Sequence, residues 1–445
     1  MSEPSRTAPI QARTLKGFRD FLPADMAPRQ QMIRQIEDVF AQHGFGPVAT
    51  PTLEYAEILT GKYGDEGDKL LYSFDDHGGR RVAMRYDLTV PLARLVAQHG
   101  GQLPMPFRRY HIAPVWRADK PQRGRFREFM QCDADLIGSD TAMADAEILA
   151  VGLGVLRALG VQAATLRLNH RGLLAALLGH AGVLDERAQL LALRAIDKWD
   201  KVGVDGVSRE LSAIAGVTEA MVEQLMAVFA LDTLDTIEAA IGAHEAIDRL
   251  RAVLSLLRAA GLGDQVQVDP RVARGLDYYT GIIYETHLTE PRVASYGAIM
   301  SGGRYDGLIG TMSKTDRPAV GISVGLDRLL AALVELGLAD DENAQAAVYV
   351  TVFDTASEAS AMALATRCRA AGHPTLLETD GGRLGKQLKR AAKRGCAVAL
   401  VEGPDERAKG VVVVRDLRAG EQQEISSAQL EPHLASLLGT ERRRD

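Results

Sequence analysis

Apolar residues recur at helical spacing early in the chain and at strand spacing soon afterwards. Between Asp25 and Gln42 they occupy positions 26, 33, 36, 39 and 40, and Gly44 follows, which predicts an amphipathic helix that ends there. The next segment, PVATPTLEY, contains prolines at 47 and 51. It predicts an edge strand, because proline cannot donate a hydrogen bond to a sheet. Residues 80–86 predict another strand, and residues 88–96 predict the start of a helix.

Residues 106–138 contain two strand-like runs on either side of the charged segment 118–125, which predicts a hairpin with a long loop. Successive side chains of a strand point to opposite faces. Counting by twos from Arg127 therefore predicts one polar face, comprising Phe129, Gln131, Asp133 and Asp135. The opposite face, which we expect in the core, comprises Met130, Cys132, Ala134 and Leu136.

Residues 172–262 are rich in leucine and alanine at helical spacing, which predicts a helical insertion. Strand-like segments return at 278–287 and 295–301, and we expect Gly302 and Gly303 to break the second of them. The segment AVGISVG at 319–325 then leads into a further helix. An inserted domain that splits one sheet explains this order.

The acidic segment 339–345 predicts a linker, and strands and helices alternate after it, which is typical of a separate α/β domain. Residues 383–394 of that region predict a helix whose basic side chains share one arc. These are Arg383, Lys386, Lys389, Arg390, Lys393 and Arg394. A solvated surface and a site for RNA or another acidic partner both explain such a helix.

Composition narrows the class of protein. The 445 residues are 46% hydrophobic and 25% charged, values typical of a globular protein with roughly two to four domains. The formal charge of -6 restricts any nucleic-acid contact to local patches. Three widely spaced cysteines and the lack of a long apolar run favour the reducing cytoplasm over a disulfide scaffold, a cysteine zinc site or a membrane span. Residues 1–12 are polar and predict a disordered tail.

Arginines in and around the hairpin loop are candidates for phosphate binding. Arg117, Arg123, Arg125 and Arg127 cluster there, and guanidinium groups bind phosphate oxygens in bidentate fashion. A solvated charged loop is the alternative. On the polar face of the following strand, the phenylalanine could stack on a base while the amide and carboxylates bind an ammonium group. A plain solvent-facing strand is the alternative there.

Two further segments suggest anion binding. GLDRLL places Arg328 in the first turn of a helix, where free N–H groups and the helix dipole favour anions. RGLDYYTG combines Arg274 with Asp277, Tyr278 and Tyr279. An ordinary exposed arginine and packing tyrosines are the alternatives. GGRLGKQ and GLGVLR do not fit the P-loop or dinucleotide patterns, and the histidines form no HExxH motif or cluster with cysteines that would support zinc.

In their order along the chain, these segments resemble the three motifs of class II aminoacyl-tRNA synthetases. LKGFRDFLP, the first helix and PVATPTLE resemble motif 1, VWRADKPQRGRFREFMQCDADLIG resembles motif 2, and AVGISVGLDRL resembles motif 3. RGLDYYTGIIYE and SGGRYDGL resemble the two histidine-specific motifs. The chain thus resembles the histidyl-tRNA synthetase family over nearly its whole length.

The resemblance implies an α+β fold with an antiparallel catalytic sheet of six or seven strands flanked by helices, a helical insertion and a C-terminal α/β anticodon-binding domain. We therefore expect the catalytic domain in residues 13–171 and 263–338, and the insertion in 172–262. The linker is expected in 339–345 and the anticodon-binding domain in 346–445.

The resemblance also implies an ATP site formed by Arg117, Asp119, Arg125, Phe129, Arg274 and Arg328. Arg117 would hold the α-phosphate and the histidine carboxylate region, Phe129 would stack on adenine, and Arg328 would clamp the far phosphates. Arg274 would stabilise charge at the α-phosphate, so the implied catalytic residues are Arg274, Arg117 and Gln131.

The histidine site implied by the resemblance comprises Asp87, Thr89, Arg117, Gln131, Asp135, Arg274, Tyr278, Tyr279 and Tyr305. Asp87, Thr89 and Gln131 would fix the α-amino group. Asp135 and Tyr279 would read the imidazole, with Tyr278 and Tyr305 completing the pocket. Many family members have glutamate at the two aspartate positions, so each carboxylate here is one methylene shorter and retains its charge.

The implied reaction attaches L-histidine to tRNA(His) through histidyl-adenylate and uses ATP with Mg²⁺. The resemblance also implies a cytoplasmic homodimer, and we expect no structural metal and no membrane contact. The loop 118–125 would touch the acceptor end, and the C-terminal domain would read the anticodon loop. Two rivals are a synthetase-like regulatory subunit of histidine biosynthesis and a catalytically dead RNA-binding sensor. Residues 346–445 and the intact RGLDYYTG argue against the regulatory subunit.

Overall fold

The computed structural model describes residues 11–121, 124–273, 278–339 and 347–439. Within these ranges, residues 11–20 and 29–339 form one compact unit, and residues 21–28 and 347–439 form a second. The described part of the first unit contains an eight-stranded and a three-stranded sheet, and that of the second unit contains a five-stranded sheet. The expected linker lies outside the described residues except for Ala339.

Helices before residue 340 include a long first helix and a consecutive series in the predicted insertion. They are α1 (Pro23–Gln42), α2 (Ala56–Leu59), α3 (Gly64–Asp68), α4 (Thr89–His99), α5 (Ala142–Ala158), α6 (Arg171–His180), α7 (Glu186–Ile196), α8 (Trp199–Ser212), α9 (Glu219–Phe229), α10 (Leu234–Ile241), α11 (Glu245–Ala259) and α12 (Leu326–Leu336).

The strands of the same part are shorter, apart from one long hairpin. They are β1 (Gly46–Pro47), β2 (Leu53–Tyr55), β3 (Ser73–Asp75), β4 (Arg81–Met84), β5 (Phe107–Trp116), β6 (Glu128–Ile137), β7 (Ala164–His170), β8 (Val266–Val268), β9 (Ile282–Leu288), β10 (Met300–Arg304) and β11 (Ala319–Gly325).

The large sheet has the strand order β1-β5-β6-β11-β10-β9-β7-β8. The six strands from β5 to β7 in this order pair antiparallel. The short strands β1 and β8 add one parallel pair at each edge. The resemblance implied six or seven antiparallel strands, so the described sheet differs in having eight, with a parallel strand at both ends.

One face of this sheet forms the main core. Cys132, Ala134 and Leu136 of β6 lie in the same apolar cluster as Phe40 of α1 and Leu149 of α5. The predicted hairpin is confirmed, because β5 and β6 pair over their full lengths. The alternation along β6 is confirmed as well, since Met130, Cys132, Ala134 and Leu136 all pack in this core.

Two details of the predicted strands are wrong. PVATPTLEY forms two short strands in different sheets, β1 beside β5 and β2 beside β4. Gly302 and Gly303 do not break a strand but lie inside β10. A Cβ on Gly302 would meet the ring of Tyr284, and a Cβ on Gly303 would lie 2.9 Å from Cδ1 of Tyr279. The two glycines therefore leave room for tyrosine rings on the sheet.

The helical region lies between β7 and β8, which are parallel neighbours. Helices α6 to α11 confirm the predicted helical character of residues 172–262. Their apolar side chains, including Leu174, Leu225 and Leu250, belong to the same cluster as those of the sheet. The insertion therefore shares one core with the strands that flank it.

The second unit contains a mixed sheet covered by helices. Its strands are β12 (Val348–Val350), β13 (Thr375–Leu377), β14 (Val398–Val401), β15 (Val411–Asp416) and β16 (Gln422–Ser426). Its helices are α13 (Glu358–Ala370), α14 (Leu384–Lys393), α15 (Pro404–Lys409) and α16 (Leu430–Leu438). Strands β13, β12 and β14 pair parallel, and β15 and β16 continue the sheet antiparallel.

The basic helix is α14, and its predicted arc is nearly complete. The side chains of this arc that the structure leaves exposed, the basic face, are Arg383, Lys386, Lys389, Lys393 and Arg394. Arg390 does not belong to it, because its guanidinium pairs with the buried carboxylate of Glu378 and donates to the carbonyl of Gly381. Among the described helices, none has the length and apolar character needed to cross a bilayer.

Candidate active site

Polar side chains on the other face of the large sheet lie in rows set by strand register. In one row, Arg109 of β5, Asp135 of β6 and Gly321 of β11 are neighbours. In the next row, His111 and Ser323 flank Asp133. The exposed fractions of Gln131 and Asp133 are only 8% and 2%. The alternative of a solvent-facing strand is therefore excluded.

Asp135 has a defined set of partners. Its Oδ1 accepts a hydrogen bond of 2.5 Å from the hydroxyl of Tyr305, and its Oδ2 lies 2.7 Å from Nη2 of Arg109. The second contact is an ion pair without good hydrogen-bond alignment, since Oδ2 has no hydrogen-bond partner among the described residues. This oxygen can therefore accept a hydrogen bond from a ligand.

Three tyrosines cluster beside Asp135. Tyr278 and Tyr279 lie in the segment before β9, and their rings meet edge to face at a centroid distance of 5.1 Å. Tyr278 also meets Tyr305 edge to face, at 5.9 Å. The hydroxyls of Tyr278 and Tyr305 donate to site carboxylates, so these side chains do more than pack. The arrangement forms an aromatic pocket with acceptors at its base.

Asp87 lies just before α4 and is held from several directions. Its Oδ1 accepts from the hydroxyl of Tyr63 at 3.1 Å and from the backbone N–H of Val90 at 3.0 Å. Its Oδ2 accepts from the hydroxyl of Tyr278 at 3.0 Å. Thr89 also interacts with Tyr278 through its side chain. The segment RYDLT thus anchors the tyrosine that covers the pocket.

Burial governs the electrostatics of the pocket. It raises the pKa of Asp87 and Asp135, although Arg117 opposes the rise at Asp87, and Arg109 and Tyr305 oppose it at Asp135. Burial, opposed by Arg109 and reinforced by Asp135, raises the pKa of Asp133 to about 8.

His111 has the opposite shift, because burial and the charge of Arg109 lower its pKa to about 3. His111 is therefore neutral at physiological pH. The described pocket holds three carboxyl groups against the charges of Arg109 and Arg117, so ionisation of all three leaves one excess negative charge that a cationic ligand would balance.

Arg117 directly follows β5 and lies near Phe129, at the end of β6 away from Asp135. Its guanidinium carbon is 4.2 Å from the ring centroid of Tyr86 and 5.1 Å from that of Phe129, and its Nε donates to the carbonyl of Tyr86. Stacking on two rings fixes the plane of the guanidinium group. The half-buried face of Phe129 is thereby placed beside a fixed positive charge.

The hairpin loop packs near the start of α12. A Cβ on Gly124 would lie 3.3 Å from the ring of Tyr296 and 3.9 Å from Cγ of Arg328, and Arg328 donates to the carbonyl of Ala298. Asp119 and Arg125 are close enough to Tyr86 to influence its pKa, which burial raises. The loop and Arg328 therefore approach the end of β6 that carries Phe129.

A carboxylate supports the site from behind. Asp327, in the first turn of α12, accepts from the backbone N–H of Met130 at 2.7 Å. It also pairs with Arg19 and Arg29, each at 2.5 Å. This cluster ties the segment KGFRD, helix α1 and α12 to the strand that carries Phe129 and Gln131.

The structure brings together most of the residues expected at the site. Asp87, Thr89, Gln131, Asp135, Tyr278, Tyr279 and Tyr305 form the pocket, while Arg117, Asp119, Arg125, Phe129 and Arg328 lie toward the other end. Arg274, together with Arg123 and Asp277, lies outside the described residues. The alternative of an ordinary exposed arginine at 328 is excluded, because its side chain is half-buried and bound to Ala298.

Sequence reasoning missed several residues of the pocket, namely Tyr63, Arg109, Gly321 and Ser323. The alternation along β6 did place Asp133 on the polar face between Gln131 and Asp135, although the resemblance gave it no role. The same alternation along β5 could have found Arg109, two positions before His111. The contribution of Ser323 depends on pairing between β6 and β11, which no local pattern predicts.

Comparisons of the whole chain with known proteins give one consistent family. A family model described as histidyl-tRNA synthetase matches residues 17–329, and an anticodon-binding domain model matches residues 345–437. The histidine–tRNA ligase of Rhodopirellula baltica is 44% identical over 433 residues, 95% of this chain and 97% of its own. That of Aeropyrum pernix is 40% identical over 425 residues, 92% and 94% of the two chains.

A solved structure leads to the same family. Histidyl-tRNA synthetase from Nostoc sp. PCC 7120 is similar with a TM-score of 0.83 at 29% identity, covering 96% of this chain and 100% of that one. The family model spans well over half of the sequence, and the curated relatives cover nearly all of it. The chain therefore belongs to the histidyl-tRNA synthetase family.

Proposed function

We propose that the protein activates L-histidine with ATP and transfers the histidyl group to tRNA(His). The observation that carries the proposal is the order of groups along β6. Phe129 and Arg117 mark one end, Gln131 follows, and Asp135 with Tyr305 marks the other. The six steps along the strand from Phe129 to Asp135 span about 20 Å, which suits an extended aminoacyl-adenylate.

The histidine side chain occupies the aromatic pocket in this proposal. Oδ2 of Asp135 accepts a hydrogen bond from one imidazole nitrogen, and the hydroxyl of Tyr279 binds the other. A neutral imidazole has one donor and one acceptor nitrogen. A site that satisfies both can reject apolar amino acids by about 10⁴–10⁵, because its own buried polar groups would otherwise remain unpaired.

Activation is an attack by the histidine carboxylate on the α-phosphate of ATP, which releases pyrophosphate. Arg117 holds the carboxylate near the phosphate, Phe129 stacks on adenine, and Arg328 with Arg125 and Asp119 binds the rest of the nucleotide. Catalysis then depends on positioning and charge stabilisation, without a protein nucleophile. Mg²⁺ enters with ATP as part of the substrate. Among the described residues no group of three His, Cys, Asp or Glu side chains could hold a metal ion.

Arg274 completes the charge stabilisation in this proposal. Removing one such donor from a transition state costs about 10²–10³ in rate. Arg274→Ala should therefore lower the activation rate by that factor while the protein remains folded. Turnover like that of the wild type would contradict the assignment.

Transfer to tRNA uses two surfaces. The loop 118–125 contacts the acceptor end, and the second unit contacts the anticodon loop, whose unstacked bases are accessible. The basic face of α14 supports this role, since phosphate contacts supply much of the affinity for nucleic acid.

We also propose a homodimer. Leu53, Tyr55 and Phe74 are between 43% and 51% exposed. Strand register places Tyr55 and Phe74 on either side of Val82 in the small sheet. An exposed apolar row of this kind marks an interaction surface. A monomeric mass by light scattering at micromolar concentration would exclude the dimer. The three free, buried cysteines support a cytoplasmic location.

Exchange of labelled pyrophosphate into ATP, with each of the twenty amino acids and no tRNA, tests the activity. Exchange with histidine alone supports the proposal, and transfer to tRNA(His) then identifies the acceptor. Folded protein that gives no exchange with any amino acid would favour the regulatory or RNA-binding alternatives.

A further inference from the structure

Two buried acceptor oxygens belong to Gln131 and Asp133, two positions apart on the polar face of β6, and neither has a donor among the described residues. Oε1 of Gln131 and Oδ1 of Asp133 have no hydrogen-bond partner among the described residues. Both side chains are more than nine-tenths buried. A buried acceptor left without a donor costs about 1–3 kcal/mol, so a ligand that supplies donors would bind favourably here.

The hydroxyl of Ser323 orients both groups. It accepts a 2.7 Å hydrogen bond from Nε2 of Gln131 and forms a side-chain hydrogen bond with Asp133. A hydroxyl accepts and donates at once, so Ser323 can donate to Asp133 while it accepts from Gln131. The amide oxygen of Gln131 and the second carboxylate oxygen of Asp133 remain available.

Asp87 is less suited to hold a substrate cation by itself. Its two oxygens already accept hydrogen bonds from Tyr63, Val90 and Tyr278. The acceptor oxygens of Gln131 and Asp133 that have no donor lie on β6, between Phe129 and Asp135. An ammonium group has donors but no acceptor, and it therefore complements them.

We propose that Asp133, together with Gln131, binds the α-ammonium group of histidine. This inference rests on the proposed function and adds to it a residue that the sequence resemblance did not assign. The ammonium donates to Oε1 of Gln131 and Oδ1 of Asp133, while the imidazole extends toward Asp135.

Binding is then coupled to a proton. The titratable and hydrogen-bonding groups that face Asp133 among the described residues are Arg109 and His111 on β5, Asp135 on β6, Ser323 on β11, Tyr284 on β9, and Asp87 and Tyr279 from the covering segments. Burial raises the pKa of Asp133 to about 8, so the empty site is mostly protonated at pH 7. An ammonium beside Asp133 favours the carboxylate. Histidine binding should therefore release a proton below pH 8.

Calorimetric titration of the full chain tests this role with two ligands, histidine and imidazolepropionate, which lacks the α-amino group. Asp133→Asn should raise the Kd for histidine by about 10–100-fold, the loss expected for one charge-assisted hydrogen bond. The Kd for imidazolepropionate should stay within about threefold of the wild-type value, because that ligand makes no ammonium contact. Titrations in two buffers of different ionisation enthalpy should show proton release for the wild type and none for Asp133→Asn.

Asp232→Asn is the matched control, because Asp232 is exposed in the loop between α9 and α10, and it should change neither Kd. If Asp133→Asn fails to fold, Ser323→Ala provides a second test, with a several-fold weaker histidine Kd and an unchanged Kd for imidazolepropionate.

Equal losses for both ligands, or no loss for histidine, would overturn the proposal. A wild type without proton release would overturn the coupling. Histidine binding without pyrophosphate exchange would refute the proposed function alone, whereas no histidine binding would refute both.

Discussion

A Cβ atom on Gly321 would lie 1.9 Å from Oδ1 of Asp135. The carboxylate at the base of the pocket therefore occupies the space that any larger residue at position 321 would fill. Gly321→Ala should displace Asp135 and lower kcat/KM for histidine by about 10²-fold, as expected when a binding group moves by an ångström. Steady-state pyrophosphate exchange measures the loss.

Gly179→Ala is the control for this change. Gly179 lies in α6, where an added Cβ meets nothing within 4 Å. That substitution should leave exchange unchanged and stabilise the protein by up to about 1 kcal/mol. A Gly321→Ala variant with normal histidine kinetics would show that the pocket adjusts without loss.

The stacked guanidinium of Arg117 predicts that lysine cannot replace it. Arg117→Lys keeps a positive charge but loses the planar group that lies over the rings of Tyr86 and Phe129. We expect a decrease of about 10²–10³ in kcat for pyrophosphate exchange. Arg292→Lys, at a surface position whose side chain is 62% exposed, should have no effect. Comparable rates for the two variants would mean that charge alone is sufficient at position 117.

The carboxylate of Asp327 predicts a large effect on stability. Its side chain is 5% exposed and pairs with the equally buried Arg29, so Asp327→Asn removes the charge opposite a buried guanidinium. The expected loss in the free energy of unfolding is about 3–5 kcal/mol, measured by urea titration. Asp235→Asn at an exposed ion pair should cost less than about 1 kcal/mol. Similar losses for both variants would contradict this role of burial.

Asp133 also predicts a pH dependence of stability in the absence of histidine. Its pKa is about 8 in the folded protein, against about 3.9 in the unfolded chain. Between these values the unfolded chain releases the proton and the folded protein retains it, so stability decreases as pH rises from about 4 to about 8.

Asp133→Asn removes this contribution. Relative to the wild type, the variant should be more stable at pH 7.5 than at pH 5 by about 1–3 kcal/mol, since one proton contributes about 1.4 kcal/mol per pH unit. Urea unfolding at both pH values measures the difference. A difference that does not change with pH would mean that Asp133 is already ionised in the empty site.

The basic face of α14 predicts an effect confined to tRNA. Replacing Lys386, Lys389 and Lys393 with glutamine should raise the KM for tRNA by about tenfold and weaken its dependence on salt. Histidine-dependent pyrophosphate exchange should not change. Arg390→Gln is the contrasting variant, because Arg390 pairs with buried Glu378, and it should lower the stability of the second unit. An unchanged KM for tRNA in the triple variant would exclude this face as a contact.

Local patterns predicted the elements of the site but not the contacts between them. The alternation along β6 separated Gln131 and Asp135 from Cys132 because strand geometry alone determines the face of each side chain. The orientation of the Gln131 amide depends on Ser323, whose hydroxyl accepts from Nε2 of Gln131 and which lies 192 positions away in the sequence. Long-range pairing of this kind has no local signature.

Glycine and arginine positions show the same limit. Gly302 and Gly303 predicted a break, yet the structure uses them inside β10 to accommodate tyrosine rings. A helical wheel placed Arg390 among the exposed basic side chains, yet a carboxylate from the neighbouring strand region pairs with it. In both cases the residue type was consistent with two environments, and only the tertiary neighbours distinguish them.

The shared core of the helical insertion and the large sheet has a consequence for unfolding. Leu174 and Leu250 of the insertion pack in the same apolar cluster as Leu166 and Ile322 of the strands, whereas Val350, Leu364 and Val412 form a separate cluster in the second unit. Elements that share one core lose their packing together. Heating should therefore melt the insertion in one cooperative step with the catalytic sheet. A substitution that loosens α6 or α11 would then reduce histidine activation even without touching substrate.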